Sequence, residues 1–272
     1  MVGVGFLGPE GTFTHEAALR AQSIPTKDAI GYTSVEEVIR AVANGEVGAG
    51  VIPVENTVDG EVYSTLEQLA LEAGRVQISE ELILPIRLGL YGLSTTSSPK
   101  SVLSHRNALA QCANYLAEHN LETTEVASTA EACRQVVALN RDDVVALASS
   151  GAAERYGLSI VAEDVGDDKT ANTRFAVVSS AVGKPTGRDR TLFALTAPSF
   201  GFRVVRDIVN TFVGRAEITR LLVRRIRGEN KSTMFLTCKG HVSDPLIQTG
   251  ITSLFDRGVQ VVCVGSYAEV DQ

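Results

Sequence analysis

One succession of elements occurs twice in the first half of this chain. A helix opened by Ser-x-x-Glu and the strand after it run from Ser34 to Asn56, and the same pair runs from Ser128 to Ser150. In each copy the serine and glutamate form a capping box, in which Ser34 with Glu37, and Ser128 with Glu131, satisfy each other's orphan backbone donors. Around the first copy, strands are predicted over Val2–Leu7, Ala29–Tyr32 and Val47–Val54, with helices over Thr14–Ala21 and Val35–Ala43. Around the second, strands fall at Val102–Ser104, Glu122–Val126 and Val144–Ala148, with helices at Ala108–Glu118 and Ala130–Leu139. Such alternation predicts an α/β fold of largely parallel sheets. The repetition favours two similar lobes over one large sheet. Paired lobes place a ligand between them, where strand ends and helix N-termini face a cleft.

The polar, Gly- and Pro-broken stretch Ser179–Arg190 reads as a linker. Beyond it the strands Thr191–Thr196, Glu217–Ile226, Met234–Lys239 and Val259–Val264 alternate with helices at Gly201–Phe212 and Asp244–Phe255. That is β-α-β-β-α-β, the ferredoxin-like split arrangement, and predicts a separate small α+β domain.

Several functional classes are disfavoured. Lys and Arg total 25 against 32 Asp and Glu, a net charge of −7, so no basic face for nucleic acid is expected. The four cysteines, Cys112, Cys133, Cys238 and Cys263, form no C-x-x-C pair and have no histidine at zinc spacing, which predicts buried thiols and no metal site. The N-terminal residues lack the basic and apolar regions of a signal peptide, and the apolar stretch Leu82–Leu93 is interrupted by Pro85, Arg87 and Gly89. A cytoplasmic protein without a membrane partner is expected. Gly3-Val-Gly5-Phe-Leu-Gly8 matches G-x-G-x-x-G, but no strand fits before Gly3, so no dinucleotide cofactor is expected.

Four junctions carry candidate chemistry. Gly8-Pro9-Glu10-Gly11-Thr12 runs into a helix and offers free N–H groups and the Thr12 hydroxyl to an anion. Glu55, Asn56 and Thr57 stand together at the C-terminal end of a strand. Ser104-His105-Arg106-Asn107 with Gln111 forms the matching junction of the second lobe. Asn172-Thr173-Arg174-Phe175 enters a strand that would return to the cleft, bringing a hydroxyl donor and a carboxylate clamp. His105 reads as a capping or surface residue, and His15, His119 and His241 have no evident partners. The set suits a small organic anion.

With GPEGTFTHEAA, IPVENTVDG, SHRNALAQC, ALASSGAAERYGL and NTRFAVV in that order, the chain resembles prephenate dehydratase over residues 1–180, followed by an ACT-like domain. The resemblance implies a catalytic domain of two lobes like those of periplasmic binding proteins, about 1–78 plus 160–180 and about 79–159, then a linker at 181–190 and an ACT-like regulatory domain at 191–272. It implies conversion of prephenate to phenylpyruvate, water and carbon dioxide without a cofactor, in phenylalanine biosynthesis. Arogenate dehydratase and a non-catalytic anion or amino-acid sensor are the alternatives. By resemblance Thr173 is the catalytic centre, with Asn56, Ser104, Gln111 and Glu55 around it. Thr12, Arg174, Phe175 and Thr57 would bind substrate. In the effector motifs of the family this chain has Gly201-Phe202-Arg203 and Leu222-Val223-Arg224-Arg225, so the Glu-Ser pair is missing. Altered inhibition by L-phenylalanine is expected. ACT domains imply a homodimer or homotetramer.

Overall fold

The structure is a computed structural model that describes residues 3–21, 28–58, 60–96, 98–225 and 231–270. The predicted strand start at Val2, the strand end at Ile226 and Asp59 lie outside these residues.

The first sheet is built from β1 (Val4–Leu7), β2 (Ala29–Tyr32) and β3 (Ala49–Asn56), with α1 (Phe13–Arg20) and α2 (Val35–Ala43) between them. A two-residue strand β4 (Gly60–Glu61), α3 (Tyr63–Leu71) and β5 (Gln77–Pro85) follow. β1 lies parallel to β2 and β3, while β11 (Asn172–Ser179) returns from far along the chain and inserts antiparallel between β3 and β5. β3 is apolar almost throughout because both faces are covered. α1 packs with Val4, Phe6, Val51, Phe175 and Val177 on one face, and α2 and α3 pack with Ile52, Val54, Ala176 and Val178 on the other. α2 meets this with Val38, Ile39, Ala41 and Val42, a helical stripe opposite exposed Glu36 and Arg40.

The second sheet holds β6 (Gly89–Gly92), β7 (Ser101–Ser104), β8 (Glu122–Glu125), β9 (Val144–Ala148) and β10 (Ser159–Ala162), in the order β10-β6-β9-β7-β8. Its helices are α4 (Arg106–Ala110), α5 (Ala113–Glu118), α6 (Thr129–Leu139) and α7 (Ser150–Arg155). This order repeats β5-β11-β3-β1-β2 of the first sheet strand for strand. β5 stays in the first sheet and β10 in the second, so the chain crosses between them at 86–88 and 163–171, each later than the boundaries expected at about 79 and 159.

Two local expectations change. Ser34 and Ser128 accept the N–H of Glu37 and Glu131 at 3.2 and 3.0 Å, but the carboxylates turn elsewhere. Glu37 takes the N–H and hydroxyl of Thr33, and Glu131 takes Arg134 and Gln135. The single helix expected over Ala108–Glu118 is broken at Gln111-Cys112. That frees the Gln111 carbonyl to accept the Asp167 N–H at 2.7 Å from the returning crossover.

The C-terminal part comprises β12 (Asp189–Ala197), α8 (Phe202–Phe212), β13 (Ile218–Arg225), β14 (Ser232–Lys239), α9 (Pro245–Phe255) and β15 (Gln260–Ala268). Its strands run β13-β14-β12-β15, antiparallel at each neighbour, with α8 and α9 sharing a core on one face. This unit is not set apart from the first sheet. Gly265 pairs with Ile78 of β5, and a Cβ at 265 would lie 2.5 Å from the Ile78 Cβ, so only glycine permits the approach. α3 bridges the seam, with Leu66 and Leu69 in one core with Leu192, Phe235, Val264 and Tyr267. The expected linker is also tied down. β12 begins at Asp189, and Gly183 accepts a hydrogen bond from His241 Nε2 at 2.9 Å.

Candidate active site

A cleft of about 540 Å³ opens between the α1-covered face of the first sheet and the second sheet. Four helix N-termini line it: Thr12–Thr14 of α1, Val62–Ser64 of α3, His105 and Asn107 of α4, and Ser128–Thr129 of α6. Each helix start carries N–H groups without intrahelical partners and the positive end of a helix dipole. Among the described residues lining the cleft there is no lysine or arginine, and the ionisable ones are Glu61, Tyr63 and His105. An anion here would be held by backbone and neutral donors.

Thr173 and Asn56 stand directly opposite one another on β11 and β3. Asn56 Nδ2 donates to Thr173 Oγ1 at 2.8 Å, while Asn56 Oδ1 accepts the Val58 N–H at 2.8 Å. The second bond fixes which way the amide points. With Thr173 Oγ1 already accepting, its own proton is left to donate into the cleft. Phe175, two residues on and 1 % exposed, forms the apolar floor beside Pro53, Ile86 and Leu88. Gln111 reaches the cleft from the break between α4 and α5. Thr12 caps α1, accepting the His15 N–H at 3.3 Å.

Of the capping and surface roles expected for His105, the first holds: it caps α4, with Nδ1 accepting the Asn107 N–H at 3.3 Å. It also lines the cleft. The bond at Nδ1 places the proton of the neutral ring on Nε2. The signal available in sequence was its place between a strand end and a helix start. His15 likewise has partners: it stacks on Phe6 at 4.7 Å and accepts the Gly11 N–H at Nδ1, so it shapes the turn before Thr12. Burial lowers its pKa.

Four expected site residues lie elsewhere. Arg174 follows Thr173 on a strand, and successive side chains take opposite faces. It is 8 % exposed on the α3 side, donating from Nε to Glu55 at 3.1 Å and from Nη1 to Glu81 at 2.9 Å. It is no clamp for a ligand in the cleft. Glu55 shares that face, because a bulge in β3 between Pro53 and Glu55 reverses the alternation and turns Asn56 into the cleft. Burial would raise the Glu55 carboxyl, but the hydrogen bond and charge of Arg220, with Arg174 behind, hold it below its ordinary value. Thr57 exchanges hydrogen bonds with the Asn172 backbone at 2.9 and 3.3 Å, fastening β3 to β11 outside the cleft. Ser104 is wholly buried and donates to the Leu147 carbonyl at 2.6 Å, joining β7 to β9.

Of the residues expected at an effector site, Gly201 caps α8 and Phe202 is 82 % exposed at its start. Leu222 packs against the core beneath α3, and Val223 faces the other way. All four thiols are buried or partly so, and burial pushes three of them up to about 12 and Cys263 to about 11. Among the described residues no His, Cys, Asp and Glu cluster could hold a metal ion, and no helix is long and apolar enough to cross a membrane.

The family profile described as prephenate dehydratase matches residues 4–182. The chain is 34 % identical over 271 residues to the bifunctional chorismate mutase/prephenate dehydratase of Stutzerimonas stutzeri, covering 97 % of this chain and 72 % of that one. It is 33 % identical over 291 residues to the prephenate dehydratase of Mycolicibacterium vanbaalenii, covering 100 % and 92 %. Among solved structures, the prephenate dehydratase of Arthrobacter aurescens in complex with L-Phe matches with a TM-score of 0.84 at 29 % identity, over 98 % of this chain and 90 % of that one. Similarity of this extent, over nearly the whole length, means that the chain belongs to the prephenate dehydratase family.

Proposed function

We propose that this protein converts prephenate to phenylpyruvate, water and carbon dioxide, with Thr173 assisting departure of the ring hydroxyl. The observation that carries the reading is the Asn56–Thr173 hydrogen bond at the floor of a cleft ringed by helix N-termini. Prephenate is a dianion, and the reaction consumes one proton. The bond from the ring to one carboxylate breaks and its electron pair aromatises the ring. The carbon–oxygen bond breaks with it, and the hydroxyl leaves as water. The enzyme must hold the second carboxylate, keep the first ionised and meet negative charge growing on the leaving oxygen.

The helix starts at Thr12, Tyr63 and Ser128 suit the first task. The Thr173 hydroxyl suits the last, since a bond accepted from Asn56 polarises its O–H for donation. One preorganised donor of this kind is worth roughly 10²–10³-fold in rate. Gln111 and His105 Nε2–H are further donors around the ring, and Ile86, Leu88 and Phe175 give it an apolar bed.

Arogenate carries an ammonium group where prephenate has a keto group. The acid lining the cleft, Glu61, is engaged by Arg220 at 3.0 Å, which disfavours an ammonium ligand. Missing Glu-Ser residues at Leu222–Val223, with Leu222 packed into the core, support weak or atypical inhibition by L-phenylalanine. Incubating the purified chain with prephenate tests the reading: phenylpyruvate should accumulate with turnover, and stoichiometric binding without product would make it a sensor. Repeating the assay with arogenate and with added L-phenylalanine tests the other two inferences.

A further inference from the structure

Glu55 and Glu61 sit directly opposite one another across the β3–β4 pair, and the next pair in register is Asn56 with Gly60. Like charges directly opposed on adjacent strands repel and open the pair. Here a cation from the C-terminal unit stands between them. Arg220 of β13 donates from Nη2 to Glu55 Oε1 at 2.7 Å and from Nη1 to Glu61 Oε1 at 3.0 Å. We propose that Arg220 is a positioning residue for the cleft: it holds β4 against β3 and thereby fixes Asn56, which in turn orients Thr173.

Three further observations support this. Side chains 220, 222 and 224 share one face of β13, and that whole face docks on the catalytic half. Leu222 packs into the core beneath α3, and the Arg224 guanidinium lies 3.9 Å from the centre of the Tyr63 ring. Second, Thr12, His105 and Ser128 cap their helices by side chain, whereas the N-cap of α3 is Val62, which cannot. The start of α3, which lines the cleft, therefore depends on β4 and on what restrains β4. Third, Glu55 is bound on its other oxygen by Arg174, so Arg220 closes a chain of ion pairs running from β13 through β3 to Glu81 of β5. The C-terminal unit thus reaches within one residue of Asn56 by charge, without lining the reaction space near Thr173.

The inference rests on the prephenate reading only for its kinetic readout, so the test has two arms on the full chain. Arg220→Ala is expected to lower kcat about ten-fold with a smaller change in KM, since slight misplacement of reacting groups costs up to about 10²-fold. Arg220→Lys should recover most of the loss. Adding Glu61→Gln to Arg220→Ala should also recover part of it, because it removes the repulsion that Arg220 suppresses. In the second arm, amide hydrogen exchange followed by mass spectrometry should speed up over residues 55–64 in Arg220→Ala and stay unchanged over Val144–Ala148. Wild-type kcat or unaltered exchange in folded Arg220→Ala would overturn the proposal. So would failure of Glu61→Gln to restore anything, or exchange that rises equally in both segments. A wild-type chain inert toward prephenate, with the exchange pattern as expected, would overturn the functional reading and leave the positioning role standing.

Discussion

Asn56 and Thr173 are 117 residues apart in sequence and 2.8 Å apart in space, joined by a hydrogen bond whose direction the Val58 N–H sets. That bond leaves the threonine proton to donate into the cleft, where the proposed mechanism has the hydroxyl depart. Thr173→Ala should lower kcat by about 10²–10³-fold, the cost of removing one preorganised donor, with little change in KM. Thr173→Ser should keep most of the rate. Steady-state formation of phenylpyruvate measures both, and unaltered turnover in Thr173→Ala would remove the residue from the mechanism.

Arg174 should behave as a structural residue. It is 8 % exposed and paired to two carboxylates on the face away from the cleft. Arg174→Ala leaves Glu81, itself 6 % exposed, with its Tyr267 hydrogen bond but without its cation, and breaking such a buried pair costs about 3–5 kcal/mol. The expected result is a lower urea midpoint, with KM for prephenate nearly unchanged in whatever fraction stays folded. A KM increase without loss of stability would return Arg174 to the substrate.

How far the sequence reached this arrangement differs from residue to residue. Ala29–Tyr32, Val35–Ala43 and Val144–Ala148 fold where their patterns predict, since local periodicity and serine caps decide them. The local pattern does not predict β5, β6 or β10. They are short, or they pair with strands distant in sequence, as β5 does with β11, and local pattern carries no record of such a partner. Thr173, Asn56, Gln111 and Thr12 were brought together by the order of strand-to-helix junctions. Arg174 does not reach the cleft where the motif puts it, although strand alternation alone separates it from Thr173. The reversal at Glu55 and Asn56 needs the β3 bulge, which apolar patterning does not announce.

Acid should weaken the seam around Glu55 by an amount that Arg220 controls. The folded pKa of Glu55 lies below the ordinary 4.5, so this carboxylate adds stability above the unfolded value and loses it as pH falls through the folded value. Removing Arg220 takes away its hydrogen bond and charge and leaves Arg174 alone against burial, so the folded value rises. Thermal unfolding midpoints recorded from pH 7 down to pH 3 should therefore fall less in Arg220→Ala than in wild type, because its Glu55 carboxylate has less stability to lose on protonation. Parallel curves would show that Arg220 does not govern the Glu55 carboxyl.

Substrate affinity should depend on helix starts. The cleft is lined by the N-termini of α1, α3, α4 and α6 and by no lysine or arginine among the described residues, so a dianion bound there would meet N–H groups and partial charges of helix ends. Thr12 and Ser128 hold two of these ends in shape by accepting the N–H of His15 and of Glu131. Loss of an N-cap side chain costs about 0.5–2 kcal/mol, some of which would appear as weaker binding where the helix end is the binding group. Thr12→Ala and Ser128→Ala are accordingly expected to raise KM for prephenate several-fold while kcat stays within about two-fold, because neither residue is assigned to the leaving oxygen. Sulfate should compete with prephenate, and less strongly in both variants. Equal inhibition by sulfate in wild type and variants, with KM unmoved, would mean that the carboxylates are held elsewhere.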